Sequence, residues 1–279
     1  MFFPGSRERE FRMIWKVEAE GKTNYLAGTA HFFPYCFKKS LSGLIGNAET
    51  VLFEGPLDES NMNLVRQYGL EEKGRQSFFK TLDQNTIIKI NRELESDTPK
   101  TDSSFFPYID IFPFRKGQVI NPEIEGLKPW MGFFVIWTHY LRKRGWKYSV
   151  DIEAYEVAKQ LGKNLYFLET IKEQISALEG IPLERIVNFF KKMDHWERVA
   201  KRHSKYYLAG KFDSMLGVTT EFPTSCESII DKRDPVLFER MKPYLKKGNT
   251  IAFVGTIHIA GIINRLKENR YTVSKYVRC

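Results

Sequence analysis

The 279-residue chain carries one short phrase twice. Tyr25-Leu26-Ala27-Gly28-Thr29-Ala30-His31 stands near the start, and Ile251-Ala252-Phe253-Val254-Gly255-Thr256-Ile257-His258 near the end. Each is an apolar, strand-like run followed by Gly-Thr-x-His. The chain has only five histidines, and two of them fall in this phrase. At ordinary glycine usage one such phrase is expected on the order of 0.02 times in a chain of this size, so two copies are no accident of composition. The glycine lets the chain leave a strand at a φ that larger residues resist, and a histidine three residues on can turn back over the sheet edge. Parallel strands of an α/β sheet share one carboxyl edge, and ligands bind outside it.

Glu54 ends a third apolar run, Val51-Leu52-Phe53, just before Gly55-Pro56. His31, Glu54 and His258 converging on one edge suit a divalent metal with open coordination positions. Such a metal would polarise a carbonyl and activate water. Glu54 is either a ligand in that set or its general base. Glu169 also follows an apolar run directly. It reads equally as a further ligand or base and as a charge supporting the helix start at Thr170. Arg233 could stabilise a tetrahedral anion, or be a surface residue like its neighbour Lys232. Asp151 reads as a helix cap before it reads as a ligand. His139, His195 and His203 lie in helical patterns without a partner phrase and are not expected as ligands.

These residues need elements to hold them. Phe11, Met13, Trp15 and Val17 alternate with polar residues, the strand period. A turn at 21–24 and a second strand at 25–27 make an N-terminal hairpin. Leu41, Leu44, Ile45 and Ala48 share one helical face, and a strand follows at 50–53. This strand–helix–strand unit makes the flanking strands parallel. Residues 60–148 read as a large, mostly helical insertion, interrupted by the aromatic, proline-marked segment 105–114, an insertion or lid. Pro129 opens an apolar helix. A helix from Asp151 ends at Gly162, a strand spans 165–168, and Thr170 with Glu173 forms a capping box. Residues 181–247 are helical again, with Asp234-Pro235 in N-cap and N1 positions of the last helix. Strand 250–254, a helix over about 260–268 and strand 271–277 close the chain. That helix would point its positive end towards His258 and an anionic group. The predicted fold is a single α/β domain over 1–279: a mixed, largely parallel sheet with an N-terminal hairpin, flanking helices and a large helical insertion.

Composition narrows the partners. Hydrophobic residues make up 42% and charged residues 28%, ordinary for a globular chain that buries a sizeable core. The formal net charge of +9 is spread over short basic groups such as 142–144 with no nucleic-acid motif, so nucleic acid is not an expected partner. Cys36, Cys226 and Cys279 form neither a metal pair nor a disulfide framework, in keeping with a reducing compartment. The N-terminus lacks the apolar core of a signal peptide. The apolar run 130–141 is about 12 residues where a bilayer span needs about 20. It reads as a buried helix, with an interfacial anchor as the second reading. The expected location is therefore cytoplasmic, with peripheral membrane association as the alternative.

These motifs resemble the TraB/GumN family, which includes Tiki-type proteases and is related to the erythromycin esterase and ChaN-like proteins. The resemblance runs over roughly 11–277. It is carried by Trp15-Lys16-Val17, the Gly-Thr-Ala-His-Phe-Phe-Pro run, Phe53-Glu54-Gly55, Lys128-Pro129-Trp130, Val150-Asp151, Gly162-Lys163, Leu168-Glu169-Thr170 with Gln174, Arg233-Asp234, and Gly255-Thr256-Ile257-His258 with Gly261. Ser149 stands where the family usually has glycine, and Asp234 where it has asparagine. The resemblance implies metal-site roles for His31, Glu54 and His258, support from Glu169 and Arg233, and metal-dependent peptide hydrolysis. The chain is thus expected to be a hydrolase of a peptide or small-molecule substrate, using Mn, Co or Zn. A non-catalytic module that binds a peptide or signal at a membrane surface is the alternative.

Overall fold

The computed structural model describes residues 8–71, 77–95 and 125–276. Segment 105–114 and Cys279 lie outside the described residues.

Six strands form one open sheet. They are β1 (Ile14–Ala19), β2 (Lys22–Thr29), β3 (Thr50–Phe53), β4 (Asn164–Phe167), β5 (Thr250–Gly255) and β6 (Thr272–Lys275), in the spatial order β4-β3-β5-β2-β1-β6. β4, β3, β5 and β2 run parallel, and β1 pairs antiparallel with both β2 and β6. The predicted hairpin is present, but its turn is tighter than the sequence suggested. Glu20 and Gly21 both take positive φ, 49° and 70°, and β2 begins at Lys22. Two central residues with φ > 0 match the twist of a two-residue hairpin.

Eleven helices surround the sheet among the described residues. The first five are α1 (Lys38–Gly46), α2 (Glu59–Tyr68), α3 (Gln84–Glu95), α4 (Pro129–Lys143) and α5 (Val150–Gln160). After β4 come α6 (Ile171–Glu179), α7 (Leu183–Lys191), α8 (Trp196–Leu208), α9 (Phe212–Thr219), α10 (Asp234–Lys247) and α11 (Ile259–Glu268). β5 buries Thr250 to Val254 without a break, as a strand covered on both faces must. α1 packs on α5, which in turn rests on β3 and β4. α10 packs on α11, and together they rest on β2, β5 and β6.

The run 130–141 is α4, opened by Pro129 in its first turn. Trp130, Met131, Phe133, Val135, Ile136, Trp137, Tyr140 and Leu141 are buried within the protein. Trp137 stacks on Tyr140 and meets Trp196 of α8 edge-on. The apolar surface of α4 is therefore largely packed in the protein core. Among the described residues no helix is long and apolar enough to cross a membrane.

Candidate active site

The strand register brings the candidate residues to one edge. Thr29 of β2 lies beside Gly255 of β5, Phe53 of β3 beside Phe253, and Phe167 of β4 beside Phe53. All four strands run the same way, so the residues that follow them leave on the same side. His31, Glu54, Glu169 and His258 are these residues. The backbone N–H of Glu169 donates to the carbonyl of Glu54 at 2.6 Å, which ties the exits of β3 and β4 together.

Arg233 joins the group from the N-cap of α10. Its Nε donates to Glu169 Oε1 and Oε2 at 3.0 and 3.1 Å, and its Nη2 donates to Glu169 Oε2 at 2.6 Å. Nη2 also donates to Glu54 Oε2 at 3.0 Å, and Nη1 donates to His258 Nε2 at 3.1 Å. The planar guanidinium fork suits such multiple recognition, which a lysine could not reproduce. The arrangement is well buried: the Glu169, Arg233 and Glu54 side chains are 2%, 12% and 15% exposed. Glu54 Oε1 accepts the backbone N–H of Gly255. Burial pushes the Glu54 carboxyl up, but His258, Arg233, the Gly255 N–H and His31 outweigh it and hold it at about 2. Burial likewise opposes the Arg233 charge, and the two carboxylates overcome it, so its pKa is raised.

His258 is held at both nitrogens. Its Nδ1–H donates to Asp234 Oδ1 at 2.7 Å, while Nε2 faces Arg233. These two contacts suit a ring that donates through Nδ1 and accepts through Nε2. The position of Asp234 differs from the sequence reading. Arg233 takes the N-cap, Asp234 starts α10, and its buried carboxylate is turned to His258. Gly261 in α11 is required for this: a Cβ there would run into Asp234 Oδ2.

A similar correction applies to Asp151. Ser149 caps α5, its hydroxyl accepting from Ile152 N at 3.4 Å. Asp151 lies in the first turn with Oδ2 3.0 Å from His31 Nδ1. The contact is an electrostatic one, because Oδ2 has no well-directed hydrogen-bond partner among the described residues. Burial disfavours the charged His31 ring, but Asp151 and then Glu54 outweigh it and push its pKa up to about 9. The His31 side chain is nevertheless 56% exposed. Solvent there damps the shift without changing its direction.

Two cavities flank the cluster. One, of about 200 Å³, is bounded by His31, Glu54, Arg233 and His258 and walled by aromatic side chains including Phe133, Trp137 and Phe222. The other, of about 110 Å³, lies between His31, Glu54, Asp151 and Arg233 on one side and Leu57, Trp130 and Met131 on the other.

The donor set can be tested against a metal. Both Glu54 oxygens and the Nε2 lone pair of His258 are engaged by Arg233 and Gly255 N–H. Among the described residues no group of three or more His, Cys, Asp or Glu is arranged to hold a metal ion. As arranged, His31, Glu54 and His258 do not fit one ion, because a guanidinium already serves as the cation between two of them. Asp151 and Asp234 were not anticipated as partners of the two histidines. Their signal in the sequence was the acidic residue at each helix start, read one or two positions out of register.

An open α/β sheet with two histidine–aspartate pairs and an arginine–glutamate cluster on its carboxyl edge defines the class of this protein. The chain belongs to the TraB/PrgY/gumN family, whose model matches residues 13–275. No curated protein matches the chain in sequence.

Proposed function

We propose that the chain is a hydrolase of carbonyl compounds, peptides foremost, working at this cluster. The observation that carries the reading is a buried guanidinium beside a His–Asp pair, both facing one cavity. An arginine has five N–H donors. The contacts above use one at Nε, two at Nη2 and one at Nη1, which leaves one Nη1–H for a ligand. That N–H can bond the carbonyl oxygen as it gains negative charge, and a preorganised donor of this kind is worth most in a water-poor site. His31, with Nδ1 turned to Asp151, can take a proton from water on Nε2 as the water oxygen adds to the carbonyl carbon, through the unprotonated fraction of the ring, which grows as pH rises towards about 9. When the bond to the leaving nitrogen or oxygen breaks, the same proton passes to that atom. Glu54, Glu169 and His258 would act by holding Arg233 in place.

A metal-dependent form of this chemistry, with Mn, Co or Zn on His31, Glu54 and His258, is favoured by the three lining one cavity. It requires Arg233 to move off Glu54 and His258. A panel of peptide and ester substrates, assayed with chelator and with each metal added, separates the readings. Hydrolysis that survives chelation and falls at least about 100-fold in His31→Ala supports the metal-free reading, as a general base contributes that much. Hydrolysis restored only by metal supports the second. No hydrolysis under either condition overturns both and leaves a binding module.

A further inference from the structure

His203 is a cavity-lining imidazole that the proposed chemistry does not use. It lies on α8, and its ring is packed against Phe33, Tyr207 and Phe222 with centroids 6.4, 6.0 and 6.2 Å away. It lines the larger cavity together with the cluster. Among the described residues neither ring nitrogen has a hydrogen-bond or ion-pair partner. Burial alone lowers its pKa, to about 4, so no charge of the cluster acts on it and the ring is neutral at physiological pH. A neutral imidazole offers one N–H and one lone pair, and at this half-buried position both are left for a group in the cavity.

The rest of the cavity wall fits this picture. Away from the cluster its described lining contains no lysine, arginine, aspartate or glutamate. Trp137, Trp146, Leu141, Phe222 and Ile229 form an aromatic and aliphatic surface. Apolar pockets with a few placed polar groups recognise a ligand by shape and orient it by those groups.

We infer that the larger cavity is a subsite for an uncharged, bulky, aromatic group carrying one hydrogen-bonding atom, and that His203 reads that atom. This deepens the hydrolase reading, since it makes the cavity beside His31 and Arg233 the seat of the group next to the scissile bond. A site built to pair a hydroxyl rejects the analogue that lacks it, because its own polar atom is then left without a partner.

Equilibrium titration of the full chain tests this with N-acetyl-tyrosinamide, N-acetyl-phenylalaninamide and N-acetyl-lysinamide. The tyrosine probe is expected to bind about tenfold more tightly than the phenylalanine probe, the effect of one neutral hydrogen bond. The lysine probe should not compete with either. In His203→Phe the tyrosine and phenylalanine probes should bind alike. In the unaltered protein the His203 ring resonances should shift on saturation with the tyrosine probe, a readout that needs no variant to fold. Equal affinity for the tyrosine and phenylalanine probes in the unaltered protein, tight binding of the lysine probe, or His203 resonances that stay fixed at saturation would each overturn the inference. Binding is read without turnover, so a protein that hydrolyses nothing still gives a decisive answer here. Conversely, hydrolysis without this selectivity would sink the subsite alone.

Discussion

Replacing Arg233 by methionine keeps most of the side chain's length and removes its charge. Glu169, 2% exposed, would lose the guanidinium that it binds directly, and Glu54 would keep the Gly255 N–H, the charge of His31 and the more distant His258, whose Nε2 lies 3.7 Å from Oε1. Removing one partner of a buried ion pair costs about 3–5 kcal/mol. At about 2–3 °C per kcal/mol for a chain of this length, the melting temperature should fall roughly 6–15 °C at pH 7. Glu54 is held at about 2 in the native protein, below the usual carboxylate value of about 4.3. Its favourable contribution is thus full above that ordinary value and disappears as pH falls from about 4.3 towards 2. In Arg233→Met burial would push the Glu54 carboxyl up, with the arginine no longer opposing it, so the deficit should shrink from pH 7 to pH 5. Adding Glu169→Gln removes the stranded charge and should recover at least about 1 kcal/mol, measured as the coupling in a double-mutant cycle. Urea unfolding followed by circular dichroism at both pH values provides the data. An Arg233→Met protein within about 0.5 kcal/mol of the parent, the range typical of surface substitutions, would show that the arginine is no more than a surface residue.

Gly261→Ala should drive Asp234 away from His258, lowering hydrolysis at least about tenfold and removing the downfield Nδ1–H proton resonance of His258; an unchanged resonance would refute the steric account. Asp151→Asn should bring the His31 pKa down from about 9 towards its ordinary value near 6.5, and a titration of the ring by NMR that shows no decrease would contradict the pairing. His139, buried in α4 with Nε2 3.2 Å from the Glu93 carbonyl, has its pKa lowered to about 4, chiefly by burial. A buried neutral histidine contributes stability above the unfolded value of about 6.5 and loses it as pH falls towards 4. Unfolding free energy should therefore drop across that window, and His139→Phe should flatten the drop.

The sequence reading reached the edge of the sheet and stopped short of the bonds across it. His31, Glu54, Glu169 and His258 were legible because each ends or closely follows an apolar run, and strand period is a local signal. Their shared edge followed from the strand–helix–strand rule, which does not depend on side-chain detail. Arg233 as the hub was not legible, since nothing local distinguishes it from Lys232; only the approach of α10 to the exits of β3, β4 and β5 does so. Asp151 and Asp234 were assigned to helix caps because an acidic residue at a helix start has a sufficient local explanation. Ser149 and Arg233 hold those cap positions, and a displacement of one or two residues frees each carboxylate for a histidine. Helix boundaries are the least certain feature of any sequence reading, and here that small uncertainty decided the chemistry. The aromatic wall built by α4, Trp146 and Phe222 was also hidden, because packing between segments distant in the chain leaves no trace in the period of any one of them.

The place of β5 bears on how such a chain can be made. It lies between β3 and β2, yet it is the fifth strand to emerge during synthesis. Until residues 250–255 leave the ribosome, the β1–β2 hairpin and the β3–β4 pair have no strand to join them, and the first histidine waits some two hundred residues for the second. Contacts of such long range close late and slowly. A nascent chain halted before Thr250 would therefore hold two unconnected half-sheets with bare edges, a natural substrate for chaperones and a poor candidate for any partial activity.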